Sequence, residues 1–204
     1  MLKEWINQDY LLDSYIHKIN RLYSNAKPFQ HFVFLDFFNE SKLKELKKAV
    51  LKEKFERIDK DLFSFSQTKE LFTSDNKIIR NFYKFLSSKE FIAFIQKITS
   101  VKLDSKIDMH SHIFSDTDYL LFHDDVVESR GVAYVINLSE DFSHDDGGRL
   151  QLYDINDAFS PSKEIIPEFN SFVLFTVSKN SLHSIEEVKS NKKRITVSGW
   201  FHGY

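Results

Sequence analysis

The texture of the chain changes near Val101, and that change limits the folds open to it. From there to Tyr204 the sequence is a series of short β-type runs separated by polar turns: Lys106–Phe114, Tyr119–His123, Val132–Leu138, Arg149–Tyr153, Ser171–Thr176, Leu182–Glu187 and Arg194–His202. Asp145-Asp146-Gly147-Gly148 reads as a tight turn before Arg149, and Pro161 and Pro167 bracket an irregular segment. Many short strands with turns between them imply a sandwich or barrel, because no single one can bury its apolar face alone.

The first half reads differently. Leu12, Ile16, Ile19 and Tyr23 recur at helical spacing within a helix expected over Lys3–Tyr23, which Pro28 interrupts. Phe29–Phe38 is a β-type run, and Asn39 is placed to cap a helix carrying Leu43, Leu46, Val50 and Leu51. Lys60–Ser74 suits strand or loop. Asp75 is expected to cap a helix with Ile79, Phe82, Tyr83 and Leu86, and Ser87 with Glu90 forms a capping box before Phe91, Ile95 and Ile98. The expectation is an α+β chain: a double-stranded β-helix (jelly roll) over 101–204, with a mainly helical flank over 1–100 that contributes a first strand and packs on one sheet. The whole of 1–204 is expected to be a single domain.

Composition narrows the functional classes. Hydrophobic residues make up 42% and charged residues 28%, which supports a sizeable core and excludes a disordered chain. No cysteine is present, so disulfides, thiolate metal sites and a cysteine nucleophile are excluded, and a reducing cytoplasm is the expected compartment. A net charge of -2 gives no basic field for direct nucleic-acid binding. The Lys-rich stretch Lys42–Lys54 is interleaved with Glu and Leu and reads as a solvated helix face. No apolar run is long enough to span a bilayer, so no membrane association is expected.

The chemistry is concentrated in Tyr119-Leu120-Leu121-Phe122-His123-Asp124-Asp125. In an extended strand, residues two apart share a face, so His123 and Asp125 can grip a common object while Asp124 points away. Alone, such a dipeptide is far more often a solvated turn after a strand than a metal site. His183, within Ser181-Leu182-His183-Ser184-Ile185, changes that reading. Jelly rolls bring sequence-distant strands together at an open mouth, so one metal could see His123, Asp125 and His183. Two histidines and one carboxylate with open positions form the facial triad of non-haem Fe(II) oxygenases. Arg194, on the following strand, can hold the far end of a dicarboxylic co-substrate by a bidentate pair. Ser198, four residues on and on the same face, can add a hydroxyl contact. His110 and His112 read as strand residues, His31 and His144 as non-ligands, and His202 as a pocket-rim or structural residue.

Tyr119–Asp125, Gly147–Asp154, Phe172–Phe175, Val177-Ser178, Ser181–Val188 and above all Ser198-Gly199-Trp200-Phe201-His202-Gly203 resemble the catalytic domain of the Ofd/Tpa-type ribosomal prolyl hydroxylases. These belong to the prolyl hydroxylase superfamily of 2-oxoglutarate- and Fe(II)-dependent oxygenases. The resemblance is dense over 105–204 and loose before it. It implies His123, Asp125 and His183 as iron ligands, Arg194 as the 2-oxoglutarate anchor, and Fe(II), 2-oxoglutarate and dioxygen as cofactor and co-substrates, with ascorbate as an auxiliary reductant. It also implies hydroxylation of a proline in a small-subunit ribosomal protein, with release of succinate and CO2.

The sequence departs from that family in several places. Relatives carry a second, non-catalytic jelly roll, which a chain ending at Tyr204 is expected to lack. The pocket tyrosine nine or ten residues before the first iron histidine is replaced by Phe114 or Ile113. Another is matched by Asn137, whose amide could donate to the co-substrate carboxylate, though a surface strand position fits Asn137 equally. Arg130, before the strand Val132–Leu138, reads as a substrate contact or as a solvated turn residue. Two other readings remain: the same chemistry on another protein side chain, a free amino acid or a nucleobase, and a non-catalytic jelly-roll binding module. The complete set of His123, Asp125, His183 and Arg194 argues against the second.

Overall fold

The computed structural model describes residues 2–127 and 129–203. In chain order the elements are α1 (Leu2–Trp5), a 3-10 turn at Gln8–Leu11, α2 (Asp13–Ser24), β1 (His31–Phe34), α3 (Glu40–Val50), β2 (Phe55–Lys60), β3 (Phe63–Thr68), α4 (Lys77–Leu86) and α5 (Lys89–Thr99). They continue with β4 (Leu103–Ile107), β5 (His110–Phe114), β6 (Tyr119–His123), β7 (Arg130–Asn137), β8 (Leu150–Leu152), β9 (Lys163–Ile165), β10 (Phe172–Thr176), β11 (His183–Ile185) and β12 (Arg194–Gly203). No helix among the described residues is long and apolar enough to cross a membrane.

The strands form one continuous sheet in the order β1-β10-β7-β12-β5-β3-β6-β11-β8-β9, with β2 added on β3 and β4 on β12. Every pairing is antiparallel. The sheet curls on itself. Leu150, Leu152 and Ile185 from one end share an apolar cluster with Ala133, Val173 and Phe175 from the other. This is the expected double-stranded β-helix.

Strand alternation explains where the helices sit. On β10, Phe172 and Leu174 face the helical cluster, while Val173 and Phe175 face the interior of the curl. On β12, Ile195, Val197 and Phe201 pack toward the helices, and Arg194, Thr196, Ser198 and Trp200 line the interior. The helices bury Phe82, Phe85, Phe91 and Ile95 against that outer face. Both faces of this half of the sheet are thus covered, and β10 is apolar almost throughout, whereas β12 alternates apolar residues toward the helices with polar ones toward the interior. The interior of the curl combines apolar walls with a few polar groups.

Local details shift some expected boundaries. The helix over Lys3–Tyr23 is broken into three pieces. Ile6 bridges to Phe38, the Asn7 N–H donates to Phe37 O, and the Asn7 side chain caps the 3-10 turn. Backbone spent on strand-like pairing cannot continue a helix, so α2 restarts at Asp13. Asn39 caps α3 as expected, accepting from Lys42 N. The caps of α4 and α5 fall one residue later than expected, at Asn76 and Ser88. The ambiguous Lys60–Ser74 stretch contains β3, which pairs with β2 as a hairpin, so residues 1–100 give the sheet three strands. The irregular segment between the prolines contains β9. The run Lys106–Phe114 is two strands, because the chain bends at Asp108 to pass β12 closely. A Cβ on Gly199 would lie 1.9 Å from Asp108 O, so only glycine permits that approach.

Candidate active site

β6 ends and β11 begins at the same place in the sheet, with His123 and His183 as paired residues. Each imidazole lies with Nδ1 against a carbonyl two residues back: His123 to Leu121 O at 2.9 Å and His183 to Ser181 O at 2.7 Å. A carbonyl can only accept, so Nδ1 carries a proton in both rings and Nε2 is the atom turned toward Asp125. Those two Nε2 atoms lie 3.3 Å from the two oxygens of Asp125, His123 from Oδ1 and His183 from Oδ2. The three candidate ligand atoms lie within 4.8 Å of one another.

Asp125 gets there by a different route from the regular strand spacing of the sequence argument. β6 stops at His123, and Asp125 adopts a left-handed backbone with φ 64°. The preceding Asp124 stabilises this turn, its carboxylate accepting from Val126 N at 3.0 Å and its carbonyl from Ser181 Oγ at 2.9 Å. Asp124 is therefore a turn residue, outside the ligand cluster.

Burial alone would raise the Asp125 carboxyl, but the two facing imidazoles outweigh it and hold the group far below the usual carboxylate range. For His123, burial pulls downward and the Asp125 carboxylate lifts the ring to a net raised value. Trp200 completes this surround: its indole N–H donates to Asp125 Oδ2 at 3.1 Å. Arg130 stacks on that indole, its guanidinium carbon 3.4 Å from the ring centroid, and an amino nitrogen lies 4.0 Å from Asp125 Oδ1. Two imidazoles and one carboxylate, oriented by second partners, are the donor set that Fe(II) takes.

The cluster opens on a cavity of about 330 Å³. Arg194 also lines it, 2% exposed, with Nε buried and unpartnered. Its guanidinium lies over the Phe114 ring, 5.3 Å from the centroid. No acidic side chain among the described residues pairs with it. Burial pushes its pKa down to about 9, so it stays a cation at neutral pH. A buried cation without a counter-charge is costly to keep and calls for an anion from outside. Ser198 lines the same cavity, its Oγ 3.0 Å from His112 Nδ1.

Asn137 is not brought to the cavity. It is 1% exposed and its amide donates to Ser171 Oγ at 2.8 Å, beyond the lining residues. Among the other histidines, His31 is a buried strand residue bonded to Phe29 O, and His144 contacts Arg149 away from the site. His202 is buried beside Ser129, its Nδ1 2.7 Å from the hydroxyl. Trp200 and His112, both lining the cavity, were given no role in the site by the sequence argument. Trp200 shares its strand face with Arg194 and Ser198 at even spacing, a signal that was legible. His112 gave no signal of its own, because its partner Ser198 is 86 residues away.

Residues 109–202 match the family model of the 2OG-Fe(II) oxygenase superfamily. The chain is 37% identical over 184 residues to prolyl 3-hydroxylase OGFOD1 of Xenopus laevis, covering 88% of this chain and 36% of that protein. It is 34% identical over 200 residues to prolyl 3,4-dihydroxylase OGFOD1 of Ostreococcus tauri, covering 87% of this chain and 38% of that one. The chain thus spans little more than a third of the length of these relatives. Among solved structures, a Pseudomonas putida prolyl-4-hydroxylase superposes with a TM-score of 0.74 at 14% identity, covering 91% of this chain and 99% of that one. A Trichoplax adhaerens prolyl hydroxylase, in complex with a hypoxia inducible factor peptide fragment, gives 0.72 at 13% identity, covering 96% of each. These two share the fold. The sequence relationship carries more: this chain belongs to the 2OG-Fe(II) oxygenase superfamily, whose members use Fe(II), 2-oxoglutarate and dioxygen, and is homologous to the OGFOD1 prolyl 3-hydroxylases.

Proposed function

We propose that this protein is a 2-oxoglutarate- and Fe(II)-dependent dioxygenase that hydroxylates a prolyl residue in an exposed loop of a small-subunit ribosomal protein, the one at the decoding centre. The observation that carries the reading is the pairing, in one cavity, of the His123, Asp125 and His183 cluster with a buried Arg194 that has no acidic partner among the described residues. The first suits a divalent iron, the second a dicarboxylate. The homology to prolyl 3-hydroxylases supports the choice of proline. The expected compartment is the cytoplasm, where ribosomes are met.

His123, Asp125 and His183 would hold Fe(II), which with 2-oxoglutarate supplies the activation of dioxygen: one oxygen atom enters a C–H bond and the other enters succinate as CO2 leaves. The protein's part is placement. The Nδ1–H bonds to Leu121 O and Ser181 O keep both imidazoles in one orientation with Nε2 inward. Trp200 and Arg130 hold the Asp125 carboxylate in position. Arg194 orients the co-substrate by pairing with its far carboxylate, and Ser198 offers a hydroxyl beside it. Phe175, Leu150 and Ile185 give the cavity apolar walls that exclude bulk water, which strengthens the Arg194 pair. Arg130, half-buried at the mouth, is placed to meet the protein substrate as well. We infer that 1–204 act as one catalytic unit, since β1, β2 and β3 from the first half are built into the sheet that carries the site.

The test is mass spectrometry of ribosomal proteins after incubation with the protein, Fe(II) and 2-oxoglutarate. The expected result is the gain of one oxygen on a single proline, with stoichiometric succinate. If 2-oxoglutarate is consumed but no ribosomal proline changes, the ribosomal assignment fails while the oxygenase reading stands. If 2-oxoglutarate is neither bound nor consumed, the oxygenase reading fails too.

A further inference from the structure

β5 places two histidines, His110 and His112, on the cavity face, and their surroundings are opposite. His110 Nε2 lies 2.8 Å from Glu70 Oε1, and its Nδ1 lies 3.2 Å from Thr68 O. Burial works against its protonation, but Glu70 outweighs burial and leaves the ring raised above its ordinary value. His112 has no acidic partner among the described residues. Burial pushes it down to about 3, and both His110 and Arg194 act in the same direction. It is therefore neutral at any physiological pH.

The position of His112 relative to Arg194 is set by strand register. Arg194 pairs with Phe114 and Thr196 pairs with His112, so His112 sits one step along the same face of the β5–β12 ladder from the Arg194 guanidinium. Its ring is held edge-on by Phe65, centroids 5.3 Å apart. Its Nδ1 lies 3.0 Å from Ser198 Oγ, and its Nε2 makes no hydrogen bond among the described residues. Both His112 and Ser198 line the cavity.

A neutral imidazole bonded to a hydroxyl has one proton left to give in either arrangement. When Ser198 donates to Nδ1, the ring carries its hydrogen on Nε2. When Nδ1–H donates to Ser198, the hydroxyl hydrogen is the free one. Each arrangement offers one neutral donor to the space in front of Arg194. A second cation there would be repelled by Arg194, whereas a neutral donor adds a directional bond without that cost.

We propose that His112, coupled to Ser198, is a specificity-determining residue for the co-substrate, supplying a neutral hydrogen-bond donor to the same carboxylate that pairs with Arg194. The far end of the acid is then read by one cation and one neutral donor. This rests on the assignment of the cavity to 2-oxoglutarate.

The test is calorimetric binding to the Mn(II)-loaded protein, which needs no turnover. Two acids are compared: 2-oxoglutarate, and 2-oxopentanoate, which has the same carbon chain without the far carboxylate. His112→Phe keeps an aromatic ring but no donor, and His112→Gln keeps an N–H. A hydrogen bond to a charged group predicts that H112F weakens 2-oxoglutarate binding by about tenfold or more while changing 2-oxopentanoate by less than about twofold. H112Q is expected to recover most of the lost affinity. Equal weakening of both acids, no weakening of either, or no recovery with H112Q overturns the proposal. Should H112F lose its thermal unfolding transition, His112→Leu replaces it in the same comparison. Absence of 2-oxoglutarate binding to the Mn(II)-loaded wild type overturns the cavity assignment itself, and the proposal with it, and is recognised by appearing before any substitution is made.

Discussion

The indole N–H of Trp200 donates to Asp125 Oδ2 at 3.1 Å, tying the middle of β12 to a carboxylate that stands outside any strand. Asp125 sits in a left-handed turn, so strand geometry does not orient it, and the bond from Trp200 does. Removing a partner of this kind costs about 10- to 100-fold in metal affinity. Trp200→Phe is expected to weaken Fe(II) or Mn(II) binding to that extent, measured by metal titration. Asp125→Ala is expected to cost more, since it removes a ligand. Asp124→Ala is expected to cost less, because that side chain only caps Val126 N. A metal affinity lost with Asp124→Ala and kept with Asp125→Ala would reverse the assignment.

Arg194→Ala removes the buried cation placed to hold the far carboxylate of the co-substrate. Truncating one member of a buried charged pair costs on the order of 2–5 kcal/mol. At about 1.4 kcal/mol per decade the KM for 2-oxoglutarate is expected to rise tenfold or more, with metal content unchanged. Steady-state kinetics at saturating Fe(II) checks the first part, and metal analysis of the purified variant checks the second. An unchanged KM would mean that another cation does this work, and Lys193 is the next to substitute.

Gly199→Ala is expected to destabilise the fold. Its Cβ would sit 1.9 Å from Asp108 O, a backbone atom that cannot turn aside. Relieving the clash requires β12 and the bend at Asp108 to separate, at about 1–3 kcal/mol for overpacking of this kind. Gly131→Ala is the control, since its nearest neighbour at 3.0 Å is the movable Leu103 Cδ2. Urea unfolding of the two variants is expected to show the larger loss for Gly199→Ala. The reverse order would mean the backbone approach is not as tight as described.

Arg149 joins β8, β9 and β11 by a two-pronged pair with Glu186, at 2.6 and 2.8 Å, and a third bond to Glu164 at 2.8 Å. Arg149 lowers the Glu186 carboxyl from its ordinary value of 4.5 to about 2. A depressed carboxyl stabilises the folded chain above its unfolded value and loses that contribution as pH falls through its folded value. The stability difference between wild type and Glu186→Gln is therefore expected to be constant at neutral pH and to shrink between about pH 4.5 and pH 2. Thermal midpoints of the two proteins across that range test this. A difference that stays flat through the window would show that the pair contributes nothing of its own.

The sequence was sufficient for whatever depends on local periodicity. The run of short strands after Val101 specified the jelly roll, because alternating apolar residues in β10 and β12 have only two faces to serve, one for the helices and one for the interior. Residues on one strand face were likewise legible, which is how Arg194 and Ser198 were placed together. The pairing of His123 with His183 required the curl that brings β6 beside β11, 60 residues apart, and the sequence could suggest it only by assuming a jelly roll or through family resemblance. Three matters were decided by tertiary structure alone. Asp125 reaches the cluster through a left-handed turn that no strand pattern encodes. Asn137, a candidate through the family resemblance, donates its amide to Ser171 and stays out of the cavity. His112, which read as an ordinary strand residue, becomes a cavity group because β12 carries Ser198 to it. Periodicity reports which face a side chain takes, but partners so distant in sequence are set by the closing of the sheet, where burial, charge and a few hydrogen bonds choose among groups that look alike in the linear chain.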